Sequence, residues 1–152
     1  MARYWRLYGG WRSLTFSPYA QLSVSLGLVA IICSATTYDP SAITIAIVPS
    51  VLGFTVAALA IMLAFSSAPF FKHLTQEGDE ESVFMKTVAN FVHFIVVQVL
   101  ALISAAICAA HPFVLFKTIT SVVLFYAILT TLSTVIQLFQ IATVFNASQD
   151  KS

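Results

Sequence analysis

Four long runs without Asp, Glu, Lys or Arg set the hydrophobic pattern of this chain, at residues 13–38, 40–71, 87–116 and 118–149. Each run exceeds the roughly 20 residues that a helix needs to cross about 30 Å of hydrocarbon. Lipid offers no partners to backbone polar groups, so long apolar runs predict helices, which satisfy those groups internally. We therefore predict four transmembrane helices, at approximately 20–37, 43–65, 88–110 and 115–144.

Composition favours a membrane protein over a water-soluble one. Hydrophobic residues make up 59% of the 152 residues and charged residues only 9%, whereas a soluble domain has about 25% charged residues. The longest predicted loop, residues 66–87, is too short to fold alone, and we detect no internal repeat. The sequence thus predicts an all-α integral membrane protein with a single membrane domain over residues 1–152.

The distribution of positive charge predicts the orientation of the helices. Lys and Arg in short loops tend to remain in the cytoplasm. If the amino terminus is inside, Lys117 is the one Lys or Arg on the outside. We therefore predict a multi-pass protein of the bacterial inner (plasma) membrane with both termini in the cytoplasm. The outer turns, 38–41 and 111–117, are then short, and their small area argues against an extracellular ligand site.

The amino-terminal segment ARYWRLYGGWR interleaves arginines with aromatic residues. Aromatic rings at headgroup level and arginines on lipid phosphates would form an interfacial anchor. Arginine and aromatic side chains together also bind phosphates and stacked bases. Both interpretations are open. The residues that would contact a lipid headgroup or an anionic ligand are Arg3, Arg6, Arg12, Trp5 and Trp11.

Small residues follow one face of the second predicted helix. Gly53, Ala57, Ala60 and Ala64 lie three or four positions apart, which places them on a common helix face. Such residues let helix backbones approach closely in lipid, where shape and dispersion drive association. We predict that this small-residue stripe packs against another helix, in the same chain or in a second one.

Polar residues recur within the last two apolar runs. The third predicted helix carries Asn90, His93 and Gln98, and an interhelical bond from such an amide is worth roughly 0.6–2 kcal/mol. In the fourth, polar residues recur at three- and four-residue steps, and we take Thr130, Thr134, Gln137 and Gln140 as a candidate polar axis. A polar stripe facing lipid would be costly, so it faces other helices or water. It either holds the helices together or, in several copies around an axis, lines a pore.

One segment resembles a known group of proteins. The sequence VPSVLGFTVAALAIMLAF, followed by a short charged loop, is similar to small bacterial four-helix membrane proteins. These include membrane components of anti-phage defence systems of the Kiwa type. The resemblance covers residues 48–72 and implies an oligomeric membrane component that works with a cytosolic partner. It implies no catalytic residue, and the short loops differ from effectors that carry their own soluble sensor domain.

Enzymatic chemistry is not expected. The sequence shows no nucleophile–base pair, no Gly-rich phosphate loop, no Asp or Glu in a predicted span and no metal-binding cluster, so we expect no cofactor and no metal. We expect contact with the lipid bilayer, a homo-oligomer taken as a tetramer, and no nucleic acid. Two functions remain. The first is a channel-like or membrane-perturbing component, gated or recruited from the cytoplasmic side. The second is a non-conducting scaffold that anchors a cytosolic partner.

Overall fold

The computed structural model describes residues 17–33, 38–64 and 82–149, and the described chain is all-helical. Four helices follow in order: α1 (Pro18–Cys33), α2 (Pro40–Ala64), α3 (Val83–Ala110) and α4 (Val114–Gln149). The predicted number of helices and the all-α class are confirmed. The helix bounds differ from those predicted by up to five residues, at the start of α3 and at the end of α4.

Capping side chains fix where α2 and α3 begin. The Asp39 carboxylate accepts hydrogen bonds from the backbone N–H groups of Ser41 at 2.9 Å and Ala42 at 3.3 Å. Ser82 Oγ accepts one from the N–H of Met85 at 3.3 Å. Such bonds satisfy amide donors that the first turn of a helix leaves without partners. Both helices therefore start before the predicted positions 43 and 88, which were set by apolar runs alone.

A short turn makes α3 and α4 antiparallel neighbours. The His111 N–H still bonds to the Ile107 carbonyl at 2.9 Å, and the Phe113 N–H then bonds to the His111 carbonyl at 2.8 Å. Pro112 lies between them, and α4 begins directly after this turn. At its other end α4 continues to Gln149, beyond the predicted limit of 144.

The fourth helix is the centre of the packing. It contacts α1, α2 and α3, while α2 also packs on α3. One apolar cluster joins α2, α3 and α4 through Val48, Val97, Ala101, Leu124 and Ala127. A second cluster is formed by Ala58, Met62 and Phe91. Thr55 lies between the two clusters along α2.

Helix α1 approaches α4 closely at Gly27. A Cβ atom added to Gly27 would lie 2.7 Å from Val122 Cγ2 and 2.9 Å from the Val122 Cα atom. Ser121 Oγ, one residue earlier on α4, donates a hydrogen bond to the Gly27 carbonyl at 3.3 Å. The absence of a side chain at Gly27 therefore lets the two backbones touch.

Three of the helices are long and apolar enough to cross a membrane: Pro40–Ala64, Phe84–Ala110 and Val114–Thr143. Helix α1 has 16 residues, which at about 1.5 Å per residue is shorter than the roughly 30 Å hydrocarbon core. The outer surface of the bundle carries large apolar side chains, among them Ile32 at 75% and Phe139 at 69% exposure. Apolar surface on this scale is typical of a protein solvated by lipid.

Candidate functional site

A layer of hydrogen-bonded polar side chains lies inside the helix bundle, with Gln98 of α3 at its centre. Gln98 is completely buried. Its Nε2 group donates to Thr55 Oγ1 of α2 at 3.0 Å and to Thr131 Oγ1 of α4 at 3.1 Å. One amide therefore connects three helices.

The two threonines can act only as acceptors toward Gln98. Thr55 Oγ1 donates its proton to the Val51 carbonyl at 2.9 Å, and Thr131 Oγ1 donates to the Ala127 carbonyl at 2.8 Å. Each hydroxyl has one proton, so only its lone pairs remain for the amide. This fixes the orientation of Gln98, with its NH2 group toward the threonines. Within the described part of the chain, the buried Gln98 Oε1 atom has no hydrogen-bond partner.

A second polar pair joins α3 and α4. His93, with 5% of its surface exposed, places Nε2 3.1 Å from the Tyr126 hydroxyl. The two rings meet edge to face, with centroids 6.2 Å apart. His93 therefore has a side-chain partner on the neighbouring helix.

A third, weaker contact lies toward the predicted cytoplasmic end. Asn90 Nδ2 donates to Gln137 Oε1 at 3.5 Å, and Gln137 Nε2 donates to Ser133 Oγ at 3.4 Å. Both distances are long for hydrogen bonds, which normally measure about 2.7–3.2 Å. Gln137 is only partly buried, so these contacts orient its side chain more than they hold the helices together.

A polar chain at the opposite end connects α4 to α1 and to the start of α2. Ser121 Oγ donates to the Gly27 carbonyl, so the Tyr38 hydroxyl, 3.0 Å from Ser121 Oγ, must be the donor in that pair. Thr120 Oγ1 donates to the Ser104 carbonyl of α3 at 3.0 Å. Polar contacts between helices thus occur at several depths of the bundle.

The four residues of the predicted polar axis have different environments. Thr130 and Thr134 are buried, and their hydroxyls bond back to the carbonyls of Ala127 and Thr130, each at 3.0 Å. Gln137 is partly buried and contacts Asn90 of the same chain. Gln140 is exposed on the outside of the bundle. The structure thus brings the first three against neighbouring helices and leaves Gln140 apart.

The small-residue stripe faces away from the bundle. Gly53, Ala57, Ala60 and Ala64 are all exposed. A Cβ atom added to Gly53 would meet nothing within 4 Å in this chain. Thr55, Ala58 and Met62 form the buried face of α2 instead. Within the described residues no helix lies against the stripe.

Other predicted site residues fall outside the described residues. They are the headgroup or anionic-ligand candidates Arg3, Arg6, Arg12, Trp5 and Trp11. Among the described residues, no group of three or more His, Cys, Asp or Glu side chains could hold a metal ion. Comparison of the chain with protein-family models, curated proteins and solved structures finds no match.

Sequence reasoning missed Thr55 as a member of the polar layer. It sits alone among apolar neighbours in LGFTVAALA, and a lone threonine in a helix usually bonds to its own backbone. The residue that points to Thr55 is Gln98, because a buried amide requires hydrogen-bond acceptors from other helices. Thr55 is a polar residue on the face of α2 opposite the small-residue stripe, and that position identifies it as a candidate acceptor.

Proposed function

We propose that this protein is a non-conducting membrane scaffold that anchors a cytosolic partner. One observation carries the proposal: Gln98, Thr130 and Thr134, which could line a pore, are buried inside the described bundle and have hydrogen-bond partners there. Gln98 bonds to Thr55 and Thr131, and the hydroxyls of Thr130 and Thr134 bond to their own helix. Gln98 thus serves as an interhelical contact, and the two threonines are bonded to their own backbone inside the bundle, so these three side chains present no polar row to a shared axis.

The proposed location is the bacterial inner membrane. The length and apolar composition of α2, α3 and α4 support it, as does the apolar outer surface of the bundle. We propose that α1 completes a fourth span and that both termini lie in the cytoplasm, following the excess of Lys and Arg on that side. A reporter fused after Ser152 would then be active in its cytoplasmic form, and periplasmic activity would contradict this orientation.

The proposed contact surfaces lie on two sides of the molecule. The cytosolic partner would bind the amino-terminal segment and the 66–87 loop, most of which lies outside the described residues. The exposed stripe of Gly53, Ala57, Ala60 and Ala64 would join copies of the chain in the membrane. The biological setting that we propose, anti-phage defence, rests on the resemblance of residues 48–72 alone, and we propose no catalytic activity.

Ion flux measured together with oligomer mass tests the proposal. The purified protein is reconstituted into liposomes, beside empty liposomes and liposomes that contain a pore-forming peptide. We expect flux at the level of the empty liposomes for the wild type and for Gln137→Leu, with equal oligomer mass. Conductance by the wild type that falls in Gln137→Leu, while the oligomer mass is unchanged, would contradict the scaffold and support a pore.

The second candidate is a channel-like or membrane-perturbing oligomer, and the exposed small-residue stripe favours it. Four copies that pack through α2 would enclose a central axis without rearranging the polar layer inside each chain. The residues at such an axis would come from the outer surface, where Gln140 is the exposed member of the predicted polar axis. Gln140→Leu, compared with Gln137→Leu in the same flux assay, separates this candidate from a pore inside one bundle.

A further inference from the structure

A cleft opens at the end of the bundle where α2 begins and α3 ends. Its volume is about 370 Å³, and its walls come from the start of α2, the end of α3 and the first turn of α4. The lining residues are Tyr38, Asp39, Ser41, Cys108, Ala109, Pro112 and Lys117. Ligand pockets in proteins usually measure about 300–1,000 Å³, so the cleft can hold a small polar molecule or group.

The cleft presents one negative and one positive side chain. Asp39 is exposed and Lys117 is partly exposed, and both line the cleft. Hydrogen bonds from the Ser41 side chain and from the Ala42 backbone lower the pKa of Asp39, and the charge of Lys117 adds to this effect. The Asp39 carboxylate is therefore ionised at neutral pH and lies in the same cleft as the Lys117 side chain, which suits a ligand that carries both signs of charge.

The hydrogen bonds at the start of α2 all end on one oxygen of the Asp39 carboxylate. Oδ1 accepts three hydrogen bonds at the start of α2, from Ser41 N at 2.9 Å, Ser41 Oγ at 2.6 Å and Ala42 N at 3.3 Å. None of these bonds uses Oδ2. A carboxylate has about four lone-pair sites, so Oδ2 can accept further hydrogen bonds while Oδ1 holds the helix.

We propose that this cleft binds an aminoethyl phosphate group, with its ammonium on Asp39 Oδ2 and its phosphate on the Lys117 ammonium. A primary ammonium donates hydrogen bonds to a carboxylate, whereas a quaternary choline group cannot. The phosphate would also lie near the first turn of α4, where the helix dipole favours an anion. The shared chemistry is that of a phosphatidylethanolamine headgroup or of a soluble phosphate ester such as glycerophosphoethanolamine.

The proposed site would distinguish phosphatidylethanolamine from other lipids by more than net charge. If Lys117 acted as an isolated cation, the cleft would prefer an anionic phosphatidylglycerol headgroup. If the polar walls acted without Asp39, phosphatidylcholine and phosphatidylethanolamine would bind equally. The proposal therefore predicts an order of affinity in which phosphatidylethanolamine binds better than either lipid. It rests on the proposed membrane location, and it overrides the expectation that the outer turns are too small for a ligand site.

The test is lipid retention by the full-length protein in detergent. Native mass spectrometry counts bound phosphatidylethanolamine, phosphatidylcholine and phosphatidylglycerol with identical acyl chains. Lys117→Met keeps the chain length without the charge, and Asp39→Ser keeps a side chain that caps helices. We expect each variant to bind phosphatidylethanolamine about two- to fivefold more weakly, the effect of one exposed ion pair. Lys86→Met, at the far end of α3, is the control and should bind normally.

Soluble glycerophosphoethanolamine provides the second arm, as a competitor for bound phosphatidylethanolamine. Displacement at concentrations equal to those of the lipid assigns the site to free phosphate esters, and displacement only at far higher concentrations assigns it to lipid. Equal retention of the three lipids, a preference for phosphatidylglycerol, or an equal loss in Lys86→Met would overturn the proposal. Alkaline carbonate extraction of cell membranes tests the membrane location separately. A wrong membrane location can therefore be distinguished from a wrong assignment of the cleft.

Discussion

The polar layer around Gln98 leads to an unusual prediction about stability. Thr55→Val removes one of two acceptors from the Gln98 amide, whereas Gln98→Met removes the amide itself and retains an unbranched side chain of similar length. Removing the hub of a network would ordinarily be the more damaging change. We expect the opposite here, because Gln98 also buries the Oε1 atom, which has no partner among the described residues.

The magnitudes follow from the individual contacts. An interhelical side-chain hydrogen bond in a membrane protein is worth about 0.6 kcal/mol on average and up to about 1.7 kcal/mol. Thr55→Val should therefore cost about 0.6–1.7 kcal/mol, since it leaves an amide proton buried without an acceptor. Gln98→Met loses two such bonds, about 1.2 kcal/mol at the average value. It also removes the penalty of an unsatisfied buried oxygen, about 1–3 kcal/mol, so its net effect should be close to zero or stabilising.

Equilibrium unfolding in mixed detergent micelles measures both variants and their combination. In the double variant, Thr55→Val should cost little, because the amide that it leaves without an acceptor is already absent. The resulting coupling energy should equal the cost of Thr55→Val alone. Strict additivity of the two changes, or a loss in Gln98→Met that exceeds the loss in Thr55→Val by more than about 1 kcal/mol, would refute the geometry of the layer.

Three further predictions concern Gly27, the small-residue stripe and Asp39. Gly27→Ala should destabilise the fold by about 1–2 kcal/mol in the same unfolding assay, because its Cβ atom would meet the Val122 backbone at 2.9 Å. Gly53→Ala, whose added Cβ atom meets nothing within 4 Å in this chain, should be neutral or slightly stabilising when the unfolding of the dissociated monomer is measured. Equal losses in the two variants would refute the close contact at Gly27. Ala57→Leu should lower oligomer yield in mild detergent more than Ile61→Leu, because leucine at a small-residue position holds helices apart. Equal yields would exclude the stripe as an interface. Hydrogen bonds from Ser41 and Ala42 lower the pKa of Asp39, so its stabilisation is present at neutral pH and is lost as the pH falls through that lowered pKa. Thermal melting should therefore depend less on pH below about 4 in Asp39→Ser than in the wild type, and identical acid profiles would contradict the capping role.

The hydrophobic pattern of the sequence predicted the number and type of the helices but not where α2 and α3 begin. Charge-free runs locate the apolar segments, whereas a helix begins where a side chain can cap it. Asp39 and Ser82 supply those caps, and Lys86 lies inside the first turn of α3 although it interrupts the apolar pattern. The charge-free run 87–116 therefore starts after α3 has begun, whereas the run 40–71 starts with α2 and only the predicted bound of 43 is late.

The three- and four-residue spacing of polar residues identified the inward-facing positions of α4 from Thr130 to Gln137 but not at Gln140. Residues advance about 100° around a helix, so Thr134 and Gln137 stay within about 40° of Thr130, while Gln140 falls about 80° away. That drift agrees with the exposure of Gln140. The sequence could offer Thr55 only as a candidate partner of Gln98, because the alignment of the two residues is set by the packing of α2 on α3.

Accessibility of Thr134 to water is the most direct test of the central claim, that the polar face of α4 is enclosed within one chain. Cys33 and Cys108 are first replaced by serine and alanine. Thr134→Cys and, separately, Lys86→Cys are then reconstituted into liposomes and exposed on both sides to a small methanethiosulfonate reagent. Because Thr134 is completely buried and Lys86 is exposed, we predict labelling of Lys86→Cys and none of Thr134→Cys. Labelling of Thr134→Cys at a rate comparable to that of Lys86→Cys would reveal a water path along α4 and contradict the scaffold.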